Sequence, residues 1–297
     1  AWLLQQDVAH AEPAKPDLER KQFDLLPKPS PQPPQARAMI SMFMQGGPSQ
    51  IDLFDPKPEL DKRNGQKFVG DIKYDDSANA STKLMASPWK FQKHGQSGIE
   101  VSELLPNFAR IVDDVTLIRG MQTGVSNHGQ GIYAMQTGGI LAGRPTIGSW
   151  LTYALGSESS ELPAYVALTD PRGLPVLGVS NWTQGWLPSQ YQGTAVRSQE
   201  PRMPNLDPAP HLRGQAQKQY LDFLAQLNAG HLAKHAGETD LEARISSYEL
   251  AGKLQTAAKE ALDISSESAA TKELYGINKL DSMPLNTTCL VYVVPDL

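Results

Sequence analysis

The sequence predicts an α/β fold: a mainly parallel sheet flanked by helices, with a helical hairpin near the C-terminus. Three observations lead there. Short apolar runs at residues 38–44 (AMISMFM), 115–118 (VTLI) and 164–168 (AYVAL) alternate with helical patterns, the order that builds a parallel sheet. Residues 214–236 and 238–262 then carry apolar side chains at helical spacing over two long stretches. Cys289 is the one cysteine of 297 residues, so packing must hold the chain together instead of a disulfide framework.

Residues 12–36 contain Pro27, Pro29, Pro31, Pro33 and Pro34 among Lys and Gln, a composition that favours extended backbone and cannot nucleate a core. They read as a linker or wrapping arm. Residues 38–44, bounded by Gly46, Gly47 and Pro48, read as a first strand buried on both faces. Residues 61–83 are polar and read as a surface excursion. Ser102 followed by Leu105, Phe108, Ile111 and Val112 predicts a helix capped by the serine. Residues 115–118 follow as a second strand.

Residues 128–137 predict a helix ended by Gly138-Gly139, residues 147–155 another, and residues 164–168 a third strand. Residues 182–210, rich in Pro, Gly and Gln, read as a long irregular loop. Two amphipathic helices complete the pattern, with Tyr220, Phe223, Leu224 and Leu227 on one stripe and Leu241, Ile245, Tyr248 and Leu254 on the other. They are expected to pair as a hairpin. Residues 289–294 (CLVYVV) read as a buried strand close to the chain end. The residue pattern thus gives an extended arm over 12–36 followed by an α/β domain.

The net charge of −5 and the lack of a dense Lys/Arg stripe exclude a nucleic-acid or anionic-membrane reader, because such binding depends on neutralising phosphates. No apolar stretch is long enough for a transmembrane helix. Residues 1–4 with Ala9-His10-Ala11 have the form of a signal-region tail ending in a small-x-small site, and equally fit a frayed polar N-terminus.

Two segments carry the strongest chemistry. MQGGPSQIDLFDPKP (44–58) places two glycines, a serine, Asp52 and Asp55 directly after the first strand, where carboxylates suit a hard divalent cation; the same aspartates also suit turns, Asp55-Pro56 being a common opening. TGVSNHGQGIYAMQTGG (123–139) sets Thr123, Ser126, Asn127 and His128 before a helix, whose amino end favours an anion. Asn127 or Ser126 there also fits an ordinary cap. SPWKFQKHGQSG (87–98) contributes His94 or is simply an exposed polar loop, and Trp150, Trp182 and Trp186 could form a sugar-stacking surface, core and loop packing being the commoner use of Trp. His231 and His235 have the i, i+4 spacing of metal ligands, although no Glu intervenes.

MQGGPSQIDLFDPKP, SPWKFQKHGQSGIEVSELLP, IRGMQTGVSNH, MQTGG with GRPTIGSWLTYALGS, RISSYELAGKLQT and KELYG together resemble the domain-of-unknown-function 1501 family, from about residue 2 to 276. The family is common in planctomycetes, usually carries a twin-arginine export signal, and is grouped with the alkaline phosphatase and sulfatase superfamily. The resemblance implies an exported, metal-dependent hydrolase-like protein acting on a phosphate or sulfate ester of a small molecule or polysaccharide. It implies a partial alkaline-phosphatase-like domain, with Asp52 or Asp55 holding a divalent metal (Zn, Ca or Mg).

Superfamily members place a Ser, Thr or Cys nucleophile at a helix start nine residues before a Thr-Gly pair. In this chain that position is His128, counted from Thr137-Gly138. Thr123 or Ser126 then serves as nucleophile, or His128 binds metal or accepts the phosphoryl group. Asn127, His94 and Arg144 are the candidate substrate-binding residues. The superfamily's remaining metal ligands come from C-terminal motifs, and Gly-Trp-Asp-x-His, Gly-Glu-Phe-Gly-Arg and Asp-His segments do not occur here. The likeness fades after Gly276, which implies residues 1–36 as signal remnant and Pro-rich arm, 37–276 as the partial domain and 277–297 as a divergent or truncated tail; the chain is expected to be truncated or frame-shifted there, with 289–294 then no true strand, and inactive as given. A non-catalytic exported binding or structural protein that keeps the fold is the alternative.

Overall fold

The computed structural model describes residues 23–30, 32–33, 36, 38–44, 48–70, 81–169, 173–197, 201–235, 238–263, 265–274, 289–290 and 292–293. In chain order the elements are β1 (Phe43–Met44), α1 (Gln50–Leu53), α2 (Pro58–Lys62), β2 (Phe91–His94), β3 (Ile99–Ser102), α3 (His128–Thr137), α4 (Ile147–Leu155), β4 (Val166–Thr169) and β5 (Thr194–Arg197). Helices α5 (Gln215–Leu232), α6 (Thr239–Leu262) and α7 (Ala269–Leu274) and strands β6 (Cys289–Leu290) and β7 (Tyr292–Val293) follow. The signal-like residues 1–11 and most of the tail lie outside the described residues.

The fold mixes helix and strand, as expected, but its sheets are small and mostly antiparallel. Among the described residues β4–β5 is the one parallel pair, in register Val166↔Thr194 to Thr169↔Arg197. β7 pairs antiparallel with the other edge of β4, β6 with β1, and β2 with β3. Residues 95–98 connect β2 to β3 directly, with Gly95 at φ 65° and Gly98 at φ 64°. So short a connection can join only antiparallel strands.

Three expected elements are corrected. Residues 38–44 are not a strand buried on both faces: only Phe43 and Met44 pair, while Ile40, Met42 and Met44 are 60%, 71% and 45% exposed. A strand covered on both sides needs a layer on each, and here alternate side chains face outward. Residues 102–112 do not form one helix. Ser102 ends β3, and two 3-10 turns, Phe108–Arg110 and Val112–Asp114, follow Pro106, which lacks the N–H and the ring clearance a continuous helix needs. Residues 115–118 leave the second turn without joining a ladder, and Ile118 is exposed.

The helix over 128–137 and the helix over 147–155 form as predicted, and the strand at 164–168 appears as β4. The loop over 182–210 hides β5, which gains its backbone partners from β4 and carries little alternation of its own.

β4 is the centre of the core. Tyr165, Ala167 and Trp182 are almost wholly buried, with Phe43 and Ala195 packed against them. Gly148 lets α4 approach this cluster, since a Cβ there would sit 2.4 Å from the Tyr165 ring. α6 packs on the 3-10 turn Ser189–Tyr191 and on α5, burying Ala243, Leu254 and Ala258. The hairpin of α5 and α6 is as expected, yet the predicted stripe is misplaced. Leu221 and Leu224 turn inward, with Leu221 against Gly252, whereas Tyr220, Phe223 and Leu227 are about half-exposed, and Tyr248 on α6 faces solvent. A helix partnered on one side leaves part of a broad apolar stripe in water.

Residues 23–30 dock on the surface of this core. Lys28 N–H donates to Leu155 O and Ser157 N–H to Leu25 O, each at 2.8 Å, and the Tyr191 hydroxyl donates to Asp24 O at 2.9 Å. The Phe23 ring lies 6.3 Å from Tyr153 and 6.4 Å from Tyr191. Gly156, at φ 74°, makes the crossing: a Cβ there would stand 1.9 Å from Leu26 O. Gly156→Ala is therefore expected to lift the arm and cost about 1–3 kcal/mol, read as a lower denaturation midpoint together with faster amide exchange at Lys28 and Ser157.

Candidate functional site

The loop at residues 123–127 delivers its polar side chains to the amino end of α3. Asn127 has extended backbone and its side-chain oxygen accepts the Gln130 N–H at 3.1 Å, the N-cap of the helix. Ser126, Asn127 and His128 are exposed. The Thr123 hydroxyl donates to Val125 O at 3.3 Å and lies beside Gly131, 3.6 Å from where a Cβ would be. The helix buries Gly129, Ile132, Tyr133 and Gln136, then closes on Gly138 at φ 74°.

A strained turn buttresses that helix start. Gly129 accepts close approach from Val176 and Leu177, at 3.1 and 3.6 Å from its Cβ position. Leu177 adopts φ 70°, a left-handed conformation that costs a branched residue about 1–2 kcal/mol. The fully buried Asn181 holds it there by donating to Val176 O at 2.8 Å and Gly178 O at 2.9 Å. Sequence reading missed this turn; the tandem Leu177-Gly178 before Asn181 is its only local trace.

The other candidates are distributed over different neighbourhoods. Arg144 folds over Gly139 at the opposite end of α3, its guanidinium carbon 3.2 Å from the Gly139 Cβ position. That places it roughly 15 Å of helix away from His128, where a cation complements the carboxyl end of the dipole. Asp52 sits in the first turn of α1, which packs on β3 and, through Phe54, edge-on against Phe108 at 5.0 Å. Asp55 is ion-paired with Lys57 at 2.6 Å. Among the described residues no three His, Cys, Asp or Glu side chains converge. Asp52 and Asp55 by themselves do not make a metal site, so no chemistry is derived through one.

His94 lies on the β2–β3 hairpin and lines a cavity of about 360 Å³ with Lys90, Gln92, Val101, Glu103 and Arg110. Lys90, Gln92 and Arg110 were not among the sequence candidates. The alternation Lys90-x-Gln92-x-His94 would have placed Lys90 and Gln92 on the strand face of His94, whereas Arg110 comes from the separate turn Phe108–Arg110. The hairpin turn is fixed by Asp113, whose carboxylate accepts the N–H groups of Gln96 at 2.8 Å and Ser97 at 2.9 Å. The bond from Ser97 first, and that from Gln96 with it, stabilise the ionised form and hold the Asp113 pKa below the usual carboxylate range. Of the tryptophans, Trp182 belongs to the core, while Trp150 and Trp186 meet edge-on at the surface, 6.1 Å apart. His231 and His235 stack at 4.2 Å with His235 Nδ1 on His231 O, and no third ligand joins them among the described residues.

The family model described as a protein of unknown function (DUF1501) matches residues 36–293. The chain belongs to this family. The matched span contains every candidate residue above, the hairpin cavity and both long helices, so the DUF1501 domain includes the α3 start and the β2–β3 hairpin alike. No curated protein and no solved structure matches the chain.

Two measurements probe this geometry. Asn127→Ala removes the cap of α3 and is expected to cost about 1 kcal/mol, seen as a lower denaturation midpoint and faster exchange at the Gln130 amide. Asp113 has a folded pKa below its unfolded one, so its stabilisation is present above about pH 4 and is lost as pH falls through the lower folded value. Asp113→Asn should thus lower the midpoint at pH 7, with the gap from wild type narrowing on titration to pH 2.

Proposed function

We propose that the protein is an exported hydrolase-like member of the alkaline phosphatase and sulfatase kind, acting on phosphate or sulfate esters of small molecules or polysaccharides at the start of α3. One observation carries the reading: a ten-residue helix begins at His128, ends at Thr137-Gly138, and presents Thr123, Ser126, Asn127 and His128 around its exposed amino end. Unpaired N–H groups there favour a tetrahedral anion. Attack on phosphorus or sulfur by a Thr123 or Ser126 hydroxyl, or by a ring nitrogen of His128, breaks the ester bond. The alcohol leaves, and water clears the covalent group. Asp52 or Asp55 would contribute one carboxylate to a divalent cation (Zn, Ca or Mg), which needs further ligands to complete its shell.

The second reading is a non-catalytic exported binding protein that keeps the fold. It is favoured by the ion pair that already engages Asp55 and by an imidazole at the position where the superfamily carries its nucleophile. Assays of the intact protein with p-nitrophenyl phosphate and p-nitrophenyl sulfate, beside metal analysis, separate the two. The hydrolase reading expects bound divalent metal and turnover that falls at least about a hundredfold in one of Thr123→Val, Ser126→Ala or His128→Asn. Absence of both metal and turnover sinks it and leaves the binder.

A further inference from the structure

We propose that the cavity beside the β2–β3 hairpin binds a sulfate, phosphate or carboxylate group carried by a small molecule, held between Arg110, Lys90 and His94. The backbone arranges these side chains. Gln92 pairs with Val101 and His94 with Ile99 in the antiparallel register, and Lys90 and Glu103 continue it, with Glu103 N–H donating to Lys90 O at 2.9 Å. Because side chains alternate across a strand, Lys90, Gln92 and His94 share one face. Arg110 reaches the same cavity from the 3-10 turn Phe108–Arg110, and the wholly buried Val101 forms an apolar floor.

The chemistry of the lining selects an anion. Lys90, Gln92, His94 and Arg110 have no side-chain hydrogen bond or ion pair among the described residues. Lysine and arginine offer only donors, and the glutamine amide and imidazole can each add one. The single carboxylate of the lining, Glu103, is engaged through Oε1 by the Lys90 N–H at 3.1 Å. Two cations thus outnumber the one carboxylate of the lining. An arginine fork beside an apolar floor is suited to an oxyanion, since charge-assisted bonds strengthen where water is displaced. The volume of about 360 Å³ exceeds a bare oxyanion and falls in the range of small-molecule sites, so the anionic group is read as a substituent. The hairpin carries this site whichever reading of α3 holds.

The test is a titration of the full chain at low ionic strength, following the His94 ring signals by NMR. The probes are inorganic phosphate, inorganic sulfate, glucuronate and glucose 6-phosphate, with glucose as the neutral control. A saturable His94 shift is expected with an anionic probe and not with glucose; the two sugar acids against the inorganic ions tell a substituent from a free ion. Arg110→Gln should weaken binding about tenfold, and Lys93→Gln, on the opposite strand face, should leave it unchanged. Arg110 is exposed, so an unaltered denaturation midpoint is expected for its variant. The proposal is overturned if no anion moves His94 saturably, if Arg110→Gln binds as wild type does, or if Lys93→Gln weakens binding equally.

Discussion

One carbonyl organises the centre of this protein. Thr183 O accepts the Thr146 N–H at 3.1 Å, the Thr146 hydroxyl at 3.1 Å and the Ser149 hydroxyl at 3.0 Å. Thr146 and Ser149 are fully buried, so each of these groups would carry a desolvation penalty if left unpaired. Their convergence fixes the start of α4 against the residue that follows Trp182. The Tyr165 hydroxyl, 3.3 Å from Thr146 Oγ1, ties the same node to β4. Helix, strand and core tryptophan are thereby placed together, and the close passages at Gly148 and Gly193 against Tyr165 follow from that placement.

From this node the candidate regions are reached by separate routes. Trp182 closes the 3-10 turn that begins at Gly178, and that turn presses Val176 and Leu177 onto the first turn of α3. The presentation of Thr123, Ser126 and His128 is therefore coupled to the core through the strained Leu177 and the buried Asn181. The β2–β3 hairpin has its own support, Asp113 across the turn and α1 on β3, and needs no contact with that node. The helix start and the cavity beside the hairpin are thus held by different sets of contacts among the described residues.

Local patterns were legible where local physics decides. Asn127 and Gly138 bracket α3 because a short polar side chain caps N–H groups and glycine tolerates the left-handed residue that ends a helix. The helix over 147–155 was readable from its apolar run, and the strand expected at 164–168 appears as β4, Val166–Thr169. The stretch after Ser102 misled because its helical spacing is interrupted by Pro106, and β5 was invisible because Thr194-Ala195-Val196-Arg197 becomes a strand only when β4 offers its edge. Among site residues, Asp52, Asp55, His94, His128 and Arg144 were conspicuous by type. Lys90 and Arg110 were not, since exposed cations are common and only their convergence gives them meaning.

By itself the sequence determined the mixed helix-and-strand class, the two helices framed by their caps, the long helical pair and membership of a family through motifs spread along the chain. Each depends on interactions between residues close in sequence, or on word-like motifs. Tertiary structure alone decided that the strands pair mostly antiparallel, that Arg144 stands at the far end of α3 from His128, and that Arg110 meets Lys90 and His94 around one cavity. These are facts of distance between segments brought together by packing, which residue type and spacing do not encode.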